Sequence, residues 1–494
     1  MFSKIPRVMS TQHPDNVTVP FFAQSSEMSG EDEVQEAYYA FSHLGCDEQM
    51  WDCEGKEVDI YVVRKLLARY EYFFKKYPLG KEVFITLRVP NPTVEKEEAK
   101  ILFETLESIP RSYDTAKSFY KRDIPPIFEV ILPMTTSSKC LNRIYYYYKE
   151  FVAGKQNLSL YPSDITISDW IGEFHPKTIN VIPLFEDKKY MLEAHHILAE
   201  YLENKNLPYQ RVFLARSDPA LNYGMITATL LIKIALQRLR KLSEKLEKPI
   251  YPILGVGTAP FRGNFRPDNV RNLCFEFPDV QTFTVQSAFK YDYPVQEVIN
   301  AIQKLKQTPR LHGWVVDEEK CLKIIDKVST AYAKQVEALA SLINQMAKYV
   351  PKRRKRKLHI GLFGYSRKLG KVVLPRAIEF CAACYSLGLP PEIFGFDVLN
   401  EDDINFLKEI YIDFECSMID ALRFFNEKVF DILPKEISKI LKEAFTKASQ
   451  LFSFKINLEH KQITSHIIEA LDSGHKEMLS SLVVEAAHIR KFLG

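Results

Sequence analysis

The feature that most constrains the fold is the regular alternation of short apolar runs with amphipathic stretches of helical period. Eight runs rich in apolar and β-branched residues are bounded by Pro, Gly, Asn or Asp, and they are residues 5–9, 83–90, 127–134, 179–186, 211–218, 251–257, 280–286 and 359–366. Apolar strands that alternate with helices form a parallel sheet covered on both faces, and eight such units close into a barrel. The sequence therefore predicts an α/β fold, a (β/α)₈ TIM-type barrel.

The rest of the chain is predicted to be helical. After the last apolar run, apolar residues recur every three to four positions and no comparable strand follows. We therefore expect a barrel with helical insertions over residues 1–380 and an α-helical elaboration packed on it over residues 381–494. A chain of 494 residues is long enough to bury a large core.

Composition and charge argue against several classes of partner. The 66 basic and 63 acidic residues leave a net charge of +3, which gives no overall field for a polyanion. No apolar run approaches the ~20 residues of a membrane span, and the first six residues lack the apolar core of a signal peptide. Eight dispersed cysteines fit a reducing compartment. We expect a cytoplasmic protein with no nucleic-acid and no membrane partner.

Four further motifs have structural interpretations. Cys381 and Cys384 lie in a helical apolar pattern and are predicted to pack in the core. The pair Gly255 and Gly257 lacks the third glycine and the helix of a dinucleotide fingerprint. The basic run 352–357 precedes the last predicted strand, which indicates a solvated loop on the barrel face opposite the active site. The acidic segment 45–56 is predicted to be a loop over the pocket.

Polar side chains of catalytic types gather where the predicted strands end. They are His13, Arg88, Glu186, Arg216, Asp218, Arg262, Gln286 and Arg367. Active sites of parallel barrels lie at the carboxyl ends of the strands. The sequence therefore predicts one pocket that contains two carboxylates, several guanidiniums and an imidazole.

This set of side chains points to the chemistry of a phosphorylated acid. Glu186 and Asp218 follow adjacent predicted strands and could hold Mg²⁺ or Mn²⁺ while leaving positions open for water or substrate. Convergent arginines bind phosphate and carboxylate groups in a bidentate manner. Salt bridges from the two carboxylates to Arg216 and Lys188 are an equally weighted alternative. Arg216 and Asp218 are two residues apart, so on a strand they would face the same way.

Six motifs occur along the chain in a recognisable order. They are Ser10-Thr-Gln-His-Pro-Asp-Asn16, Pro183-Leu-Phe-Glu-Asp187, Ala215-Arg-Ser-Asp-Pro-Ala-Leu-Asn-Tyr-Gly224, Pro260-Phe-Arg-Gly-Asn264, Gly364-Tyr-Ser-Arg367 and Leu374-Pro-Arg-Ala-Ile378. Together they resemble the phosphoenolpyruvate carboxylase family in its short archaeal-type branch. The resemblance runs from about residue 6 to residue 494.

The resemblance implies that phosphoenolpyruvate and bicarbonate give oxaloacetate and phosphate through carboxyphosphate and a metal-bound enolate. It also implies a Mg²⁺ or Mn²⁺ cofactor and a homotetramer. Carried over residue by residue, it implies the following roles: Glu186 and Asp218 as metal ligands, His13 as the group that handles the proton of carboxyphosphate, Arg367 and Arg376 as ligands of the substrate phosphate and carboxylate, Arg262 as the second arginine of a glycine-rich loop, and Arg88, Arg216 and Gln286 as further substrate-binding residues.

The chain departs from the longer members of this family at three positions. Leu254 and Val256 stand where their loop has a histidine and an arginine, and Leu221 stands where they have a lysine. Arg216 could replace some of the lost positive charge. Two other functions stay open at this point: another metal-dependent barrel lyase or phosphotransferase acting on a pyruvate enolate, and a non-catalytic helix-rich protein that binds nucleic acid through residues 352–357.

Overall fold

A closed parallel barrel forms the centre of the computed structural model, which describes residues 4–53, 59–94, 96, 99–355, 367–369 (backbone) and 372–494. Each strand pairs with the next in chain order, and the last pairs with the first. The strands are β1 Val8–Ser10, β2 Glu48–Asp52, β3 Phe84–Arg88, β4 Glu129–Leu132, β5 Asn180–Phe185, β6 Gln210–Ala215, β7 Ile250–Gly255 and β8 Thr282–Val285. The predicted fold class is confirmed.

Strand β2 lies in the segment that the sequence predicts to be a loop, so that prediction is wrong for residues 48–52. Acidic residues can occupy this strand because each has a cationic partner on another strand: Glu48 pairs with Arg211, and Asp52 pairs with Arg88. The predicted strand 359–366 lies outside the described residues. The barrel closes without it, because β8 pairs with β1 in parallel register.

The lowest layer inside the barrel is polar and comes from alternate strands, as is typical of this fold. Glu48, Glu129, Arg211 and Thr282 belong to β2, β4, β6 and β8. Arg211 donates to Glu48 Oε2 at 2.7 Å and to Glu129 Oε2 at 3.0 Å. Since all of these side chains are buried, the guanidinium offsets part of the cost of placing two acidic side chains there.

An apolar cluster fills the barrel above this polar layer. It consists of Met9, Met50, Ile131, Ile182, Leu184, Phe213, Ala215 and Ile253. These side chains close the barrel interior, so a cavity can form only beyond them, at the carboxyl ends of the strands.

Helices surround the barrel and continue beyond it in the described part of the chain. Those before residue 350 are α1 Glu31–Ser42, α2 Val62–Arg69, α3 Glu71–Lys76, α4 Ile101–Tyr120, α5 Ser138–Tyr146, α6 Ile167–Ile171, α7 Lys188–Leu202, α8 Ser217–Tyr223, α9 Met225–Leu246, α10 Val270–Glu276, α11 Ser287–Tyr291, α12 Val295–Gln307 and α13 Glu318–Ala347. Those that follow are α14 Ala377–Ser386, α15 Glu401–Ile410, α16 Phe414–Leu422, α17 Lys435–Leu451, α18 Leu458–Ser473 and α19 Leu479–Arg490.

The carboxyl-terminal part is helical, as expected, with one addition. A two-stranded antiparallel sheet, β9 Arg367–Leu369 with β10 Val372–Leu374, precedes α14. Cys381 and Cys384 are fully buried on α14, which confirms their core packing. The domain boundary at residue 380 stays a prediction. Among the helices described here, none is both long and apolar enough to span a bilayer.

Candidate active site

A cavity of about 570 Å³ opens at the carboxyl ends of the barrel strands. Eight of the nine predicted site residues line it: His13, Arg88, Glu186, Arg216, Asp218, Arg262, Gln286 and Arg376. The ninth, Arg367, belongs to β9, and its side chain lies outside the described residues. Its backbone pairs with Leu374, which lines the cavity. The structure thus brings eight of the nine predicted side chains together, while their individual roles stay predictions.

Strand alternation explains which side chains reach the cavity. Met50 on β2 belongs to the apolar cluster, and Asp52, two positions further along, lines the cavity. In the same way Leu184 on β5 precedes Glu186 by two positions. Asp52 is a cavity residue that the sequence analysis missed, because its segment was assigned to a loop. Its carboxylate accepts a hydrogen bond from Arg88 Nε at 3.0 Å.

His13 lies in the turn after β1 and is half-buried. Its Nδ1 is 2.9 Å from Thr11 Oγ1, and the tautomer decides which of the two donates. Its backbone carbonyl accepts from the amides of Asp15 at 3.1 Å and Ser287 at 3.3 Å. The imidazole is therefore attached to a turn whose backbone is held by hydrogen bonds from Asp15 within the turn and from Ser287 in α11.

A buried ion network supports this turn from below. Lys290 on α11 donates to the Thr11 carbonyl at 2.9 Å, to Ser10 Oγ at 3.0 Å and to Glu36 Oε1 at 2.9 Å. Arg354 Nη2 lies 2.7 and 2.8 Å from the two oxygens of Glu36. Burial would raise the pKa of the Glu36 carboxyl, but Arg354 and Lys290 outweigh burial and hold that pKa well below its usual range.

The basic run contradicts the prediction of a solvated loop on the opposite barrel face. Its described part, 352–355, lines the cavity, and residues 356 and 357 lie outside the described residues. Arg353 and Arg354 are buried; Arg353 donates to the carbonyls of Asn16 and Val17. The physical reason is that the chain reaches the cavity rim after α13. There backbone carbonyls and buried carboxylates accept hydrogen bonds from these two guanidiniums.

Strand β6 ends earlier than predicted, which corrects the orientation of Arg216 and Asp218. Pro219 fits the first turn of α8, so the chain becomes helical at Ser217, and the two residues do not share a strand face. Arg216 is only 1% exposed, and its Nη1 donates to the Phe261 carbonyl at 3.1 Å. Asp218 lies in the first turn of α8 and lines the cavity.

Glu186 and Asp218 suit a divalent cation. Glu186 Oε2 accepts from the Met134 amide at 2.8 Å, which orients the carboxylate. Lys188, a salt-bridge partner in the alternative, pairs with Asp326 at 2.6 Å. Within the described residues no group of three or more His, Cys, Asp or Glu side chains could hold a metal. Two carboxylates, with water and substrate oxygens completing the shell, are a typical protein environment for Mg²⁺.

Arg262 is held in the cavity wall by several hydrogen bonds. Its guanidinium donates to Ser217 Oγ at 3.1 Å, Asp15 Oδ2 at 3.2 Å and the Gly494 carbonyl at 2.6 Å, and also to Gln286 Oε1. These partners come from four distant parts of the chain. Asp15 and Gly494 were not predicted from the sequence, because no local pattern reveals contacts across 247 and 232 residues.

Gly257 allows this arrangement of Arg262. A Cβ atom at Gly257 would lie 2.8 Å from Arg262 Cζ and 2.9 Å from its Nη1, closer than side-chain carbons approach other atoms. The guanidinium therefore packs directly against the backbone of the loop after β7. This contact explains the glycine without a dinucleotide, in agreement with the sequence interpretation.

The three positions that depart from the longer enzymes are not part of the cavity lining described here. Leu221, Leu254 and Val256 belong to the main apolar core and are at most 1% exposed. The Leu221 carbonyl accepts from Tyr332 Oη at 2.7 Å. Positive charge near the cavity comes instead from other places, among them the basic residues 352–355.

Comparisons with known proteins agree with the motifs. A family model described as phosphoenolpyruvate carboxylase matches residues 5–494. A relative from Methanothermobacter thermautotrophicus with that name is 55% identical over 491 residues, which cover 99% of this chain and 100% of the relative. Another from Methanospirillum hungatei is 53% identical over 491 residues, with the same coverage of 99% and 100%.

Solved structures are more distantly similar. The Haloferax volcanii malate synthase complex with magnesium and glyoxylate is 10% identical, with a TM-score of 0.38, over 69% of this chain and 94% of that chain. Because this score is below 0.5, the barrel assignment rests on the strand order described above.

Proposed function

The chain belongs to the phosphoenolpyruvate carboxylase family, whose members are carboxy-lyases, and from this premise we propose how its cavity performs the reaction. Phosphoenolpyruvate and bicarbonate bind in the cavity and leave as oxaloacetate and phosphate. The observation that carries the proposal is the convergence of an imidazole, carboxylates and guanidiniums on one cavity at the carboxyl ends of the strands. Family membership favours this reaction over the lyase and nucleic-acid alternatives.

The arginines hold the two anionic ends of phosphoenolpyruvate. Arg376, at the start of α14, and Arg367, whose strand pairs with the cavity residue Leu374, bind the phosphate and the carboxylate. Arg262 is already engaged by protein acceptors, so it positions Gln286 and Ser217 as well as contributing charge. Arg88 presents its guanidinium from β3 beside Asp52.

Phosphoenolpyruvate carboxylases generally need a divalent metal, and we assign Mg²⁺, with Mn²⁺ as a substitute, to Glu186 and Asp218. When bound, the cation supplies charge stabilisation for the oxyanions that develop during the reaction. The two carboxylates face the cavity from the end of β5 and the start of α8, so they can share one ion without closing its coordination shell to the substrate.

His13 handles the proton. Bicarbonate attacks the phosphorus of phosphoenolpyruvate, which gives carboxyphosphate and the enolate of pyruvate. Removal of the carboxyphosphate proton releases phosphate and CO₂, and the enolate carbon captures the CO₂ to form oxaloacetate. In the tautomer in which Nδ1–H donates to Thr11 Oγ1, Nε2 carries the lone pair, and in our proposal this nitrogen takes the proton.

The test is oxaloacetate formation from phosphoenolpyruvate and bicarbonate with Mg²⁺, coupled to NADH oxidation by malate dehydrogenase. We expect turnover that requires both bicarbonate and metal. The variants His13→Asn and Asp218→Asn should each lose at least ~100-fold in kcat, as is typical for removal of an acid-base group or a metal ligand. Product formation without bicarbonate in the native protein would point to the lyase alternative, and full activity in either variant would refute that residue's role.

The remaining assignments follow the family resemblance. We propose a homotetramer located in the cytoplasm, with no nucleic-acid partner. The contacts of Arg353 and Arg354 support the last point, since backbone carbonyls and the carboxylates of Glu33 and Glu36 already engage their guanidiniums.

A further inference from the structure

An apolar loop, residues 158–171, lies between α5 and the start of β5. Eight of the 24 large apolar side chains that are exposed in the described residues fall between Tyr146 and Ile171. Six of them belong to the loop, with exposures between 52% and 64%: Leu158, Leu160, Tyr161, Ile165, Trp170 and Ile171. Helix α6, inside the loop, has no buried residue.

The loop has an ordered backbone that presents these side chains outward. The Ile167 amide donates to the Leu158 carbonyl at 2.9 Å, and Ser159 and Thr166 form an isolated antiparallel bridge. Thr166 caps α6 in a capping box with Asp169. Because local hydrogen bonds fix the backbone while the apolar side chains face water, burial within the single chain does not account for this sequence.

The exposed area is large enough for a stable protein interface. The two aromatic side chains offer about 150 to 250 Å² each in full and the four aliphatic ones somewhat less, so the six together expose on the order of 600 Å². That value is at the upper limit for the largest apolar patch of a monomer, and it approaches the roughly 800 Å² that each partner buries in a standard interface.

The charge of the loop selects the kind of partner. Residues 158–171 contain two aspartates and no lysine or arginine. A segment that lies on a membrane usually carries cations on its polar face, which this loop lacks. The centre of a homodimer interface, by contrast, is typically apolar, rich in aromatic residues and poor in charged residues, as this loop is.

We propose that the apolar loop 158–171 is an interface with a second copy of this chain, formed by the same surface on both subunits. The loop precedes β5, on the side of the barrel where strands begin, so this pairing leaves the cavity open. The inference rests on the self-association proposed above and names the surface responsible for it.

The first experiment measures the mass of the native protein and of two double variants by light scattering after size exclusion. We expect a native mass that is a multiple of 57.3 kDa. The variant Trp170→Asp/Ile171→Asp should show half that mass, with a dissociation constant raised at least ~100-fold as expected for two central contacts. The control Tyr72→Asp/Leu458→Asp changes side chains that are 86% and 76% exposed elsewhere and should keep the native mass.

A second measurement does not depend on the double variant. Photoactivatable benzoylphenylalanine in place of Tyr161 should give a product of twice the chain mass, cross-linked to the loop of the second copy. A monomeric native protein, an unchanged mass of the loop variant, or cross-links to another surface would each overturn the inference. Oxaloacetate formation is measured in the same fractions: turnover with failed association refutes the interface alone, and association without turnover refutes only the carboxylase assignment.

Discussion

Replacement of Lys290 by methionine tests whether the buried ion network positions His13 for catalysis or only stabilises the fold. Lys290 is fully buried, and its ammonium donates to the Thr11 carbonyl, Ser10 Oγ and Glu36 Oε1 at 2.9 to 3.0 Å. Methionine has a similar shape but no donor, so all three hydrogen bonds are lost. The turn that carries His13 is then held less firmly, although no atom of the cavity lining has been removed.

The free energy of unfolding should fall by about 3 kcal/mol. Removing one partner of a buried ion pair costs about 3–5 kcal/mol when the other charge is left unpaired. Here Glu36 keeps Arg354 and the Tyr291 hydroxyl, which donates at 2.8 Å, so the cost lies at the lower end. This total of about 3 kcal/mol includes the lost hydrogen bonds to Ser10 and Thr11, which are worth about 1 kcal/mol each.

The effect on catalysis should be larger than the effect on substrate binding. A misplacement of a catalytic group by about 1 Å costs on the order of 100-fold in rate, so kcat of Lys290→Met should fall by about 10- to 100-fold. KM should change little, because the arginines assigned to the substrate are untouched. The coupled oxaloacetate assay gives both constants, and urea unfolding followed by circular dichroism gives the stability.

Lys233→Met is the matched control. Lys233 is equally buried and pairs with Glu276 at 2.6 Å, but neither residue lines the cavity. Lys233→Met should lose at least as much unfolding free energy as Lys290→Met. Its kcat, measured under conditions in which the variant is fully folded, should equal that of the native protein. If Lys290→Met retains native kcat, or if Lys233→Met loses as much activity, the ion network does not position His13.

Three further predictions follow from the same region. A Cβ atom in Gly494→Ala would overlap the Ile378 carbonyl and displace the acceptor of Arg262, so kcat/KM should fall at least ~10-fold in a folded protein. Because the pKa of Glu36 in the folded protein lies below its ordinary 4.5, the ionised carboxylate stabilises the fold above about pH 4.5, and this stabilisation is lost as the pH falls. The free energy of urea unfolding of Glu36→Gln should therefore fall less in acid than that of the native protein. Parallel plots of unfolding free energy against pH for the two proteins would refute this. If Arg216 replaces lost positive charge, Arg216→Ala should raise KM for phosphoenolpyruvate, and unchanged activity and affinity would exclude that role.

The periodic part of the fold could be predicted from the sequence, whereas long-range charge pairing could not. Apolar runs such as 179–186 and 280–286 show strands directly, because both faces of those strands are buried in apolar surroundings. Strand β2 is hidden, since Glu48 and Asp52 make it resemble a loop until their partners are known. The partner of Glu48, Arg211, lies 163 residues away, and no local pattern reveals that pair.

The same limit applies to the candidate site. Its members at strand ends were predictable, because an abrupt polar residue after an apolar run marks the carboxyl end of a barrel strand. The basic run 352–355 was misplaced, since its interpretation depended on a predicted strand, 359–366, that lies outside the described residues. Its two arginines resemble solvated charges in the sequence, and only the fold brings Glu33 and Glu36 to Arg354.

The buried ions at the base of the barrel and the cavity at its other end depend on one register. On β2, Glu48 faces Arg211, Met50 joins the apolar cluster and Asp52 lines the cavity, each two residues after the last. A slip of one residue would turn all three to the outer face. Because a carboxylate buried among the helices without a partner costs several kcal/mol, the contact of Glu48 with Arg211 opposes that slip. The ion pair that stabilises the base of the barrel therefore also sets the side of the strand on which Asp52 meets Arg88.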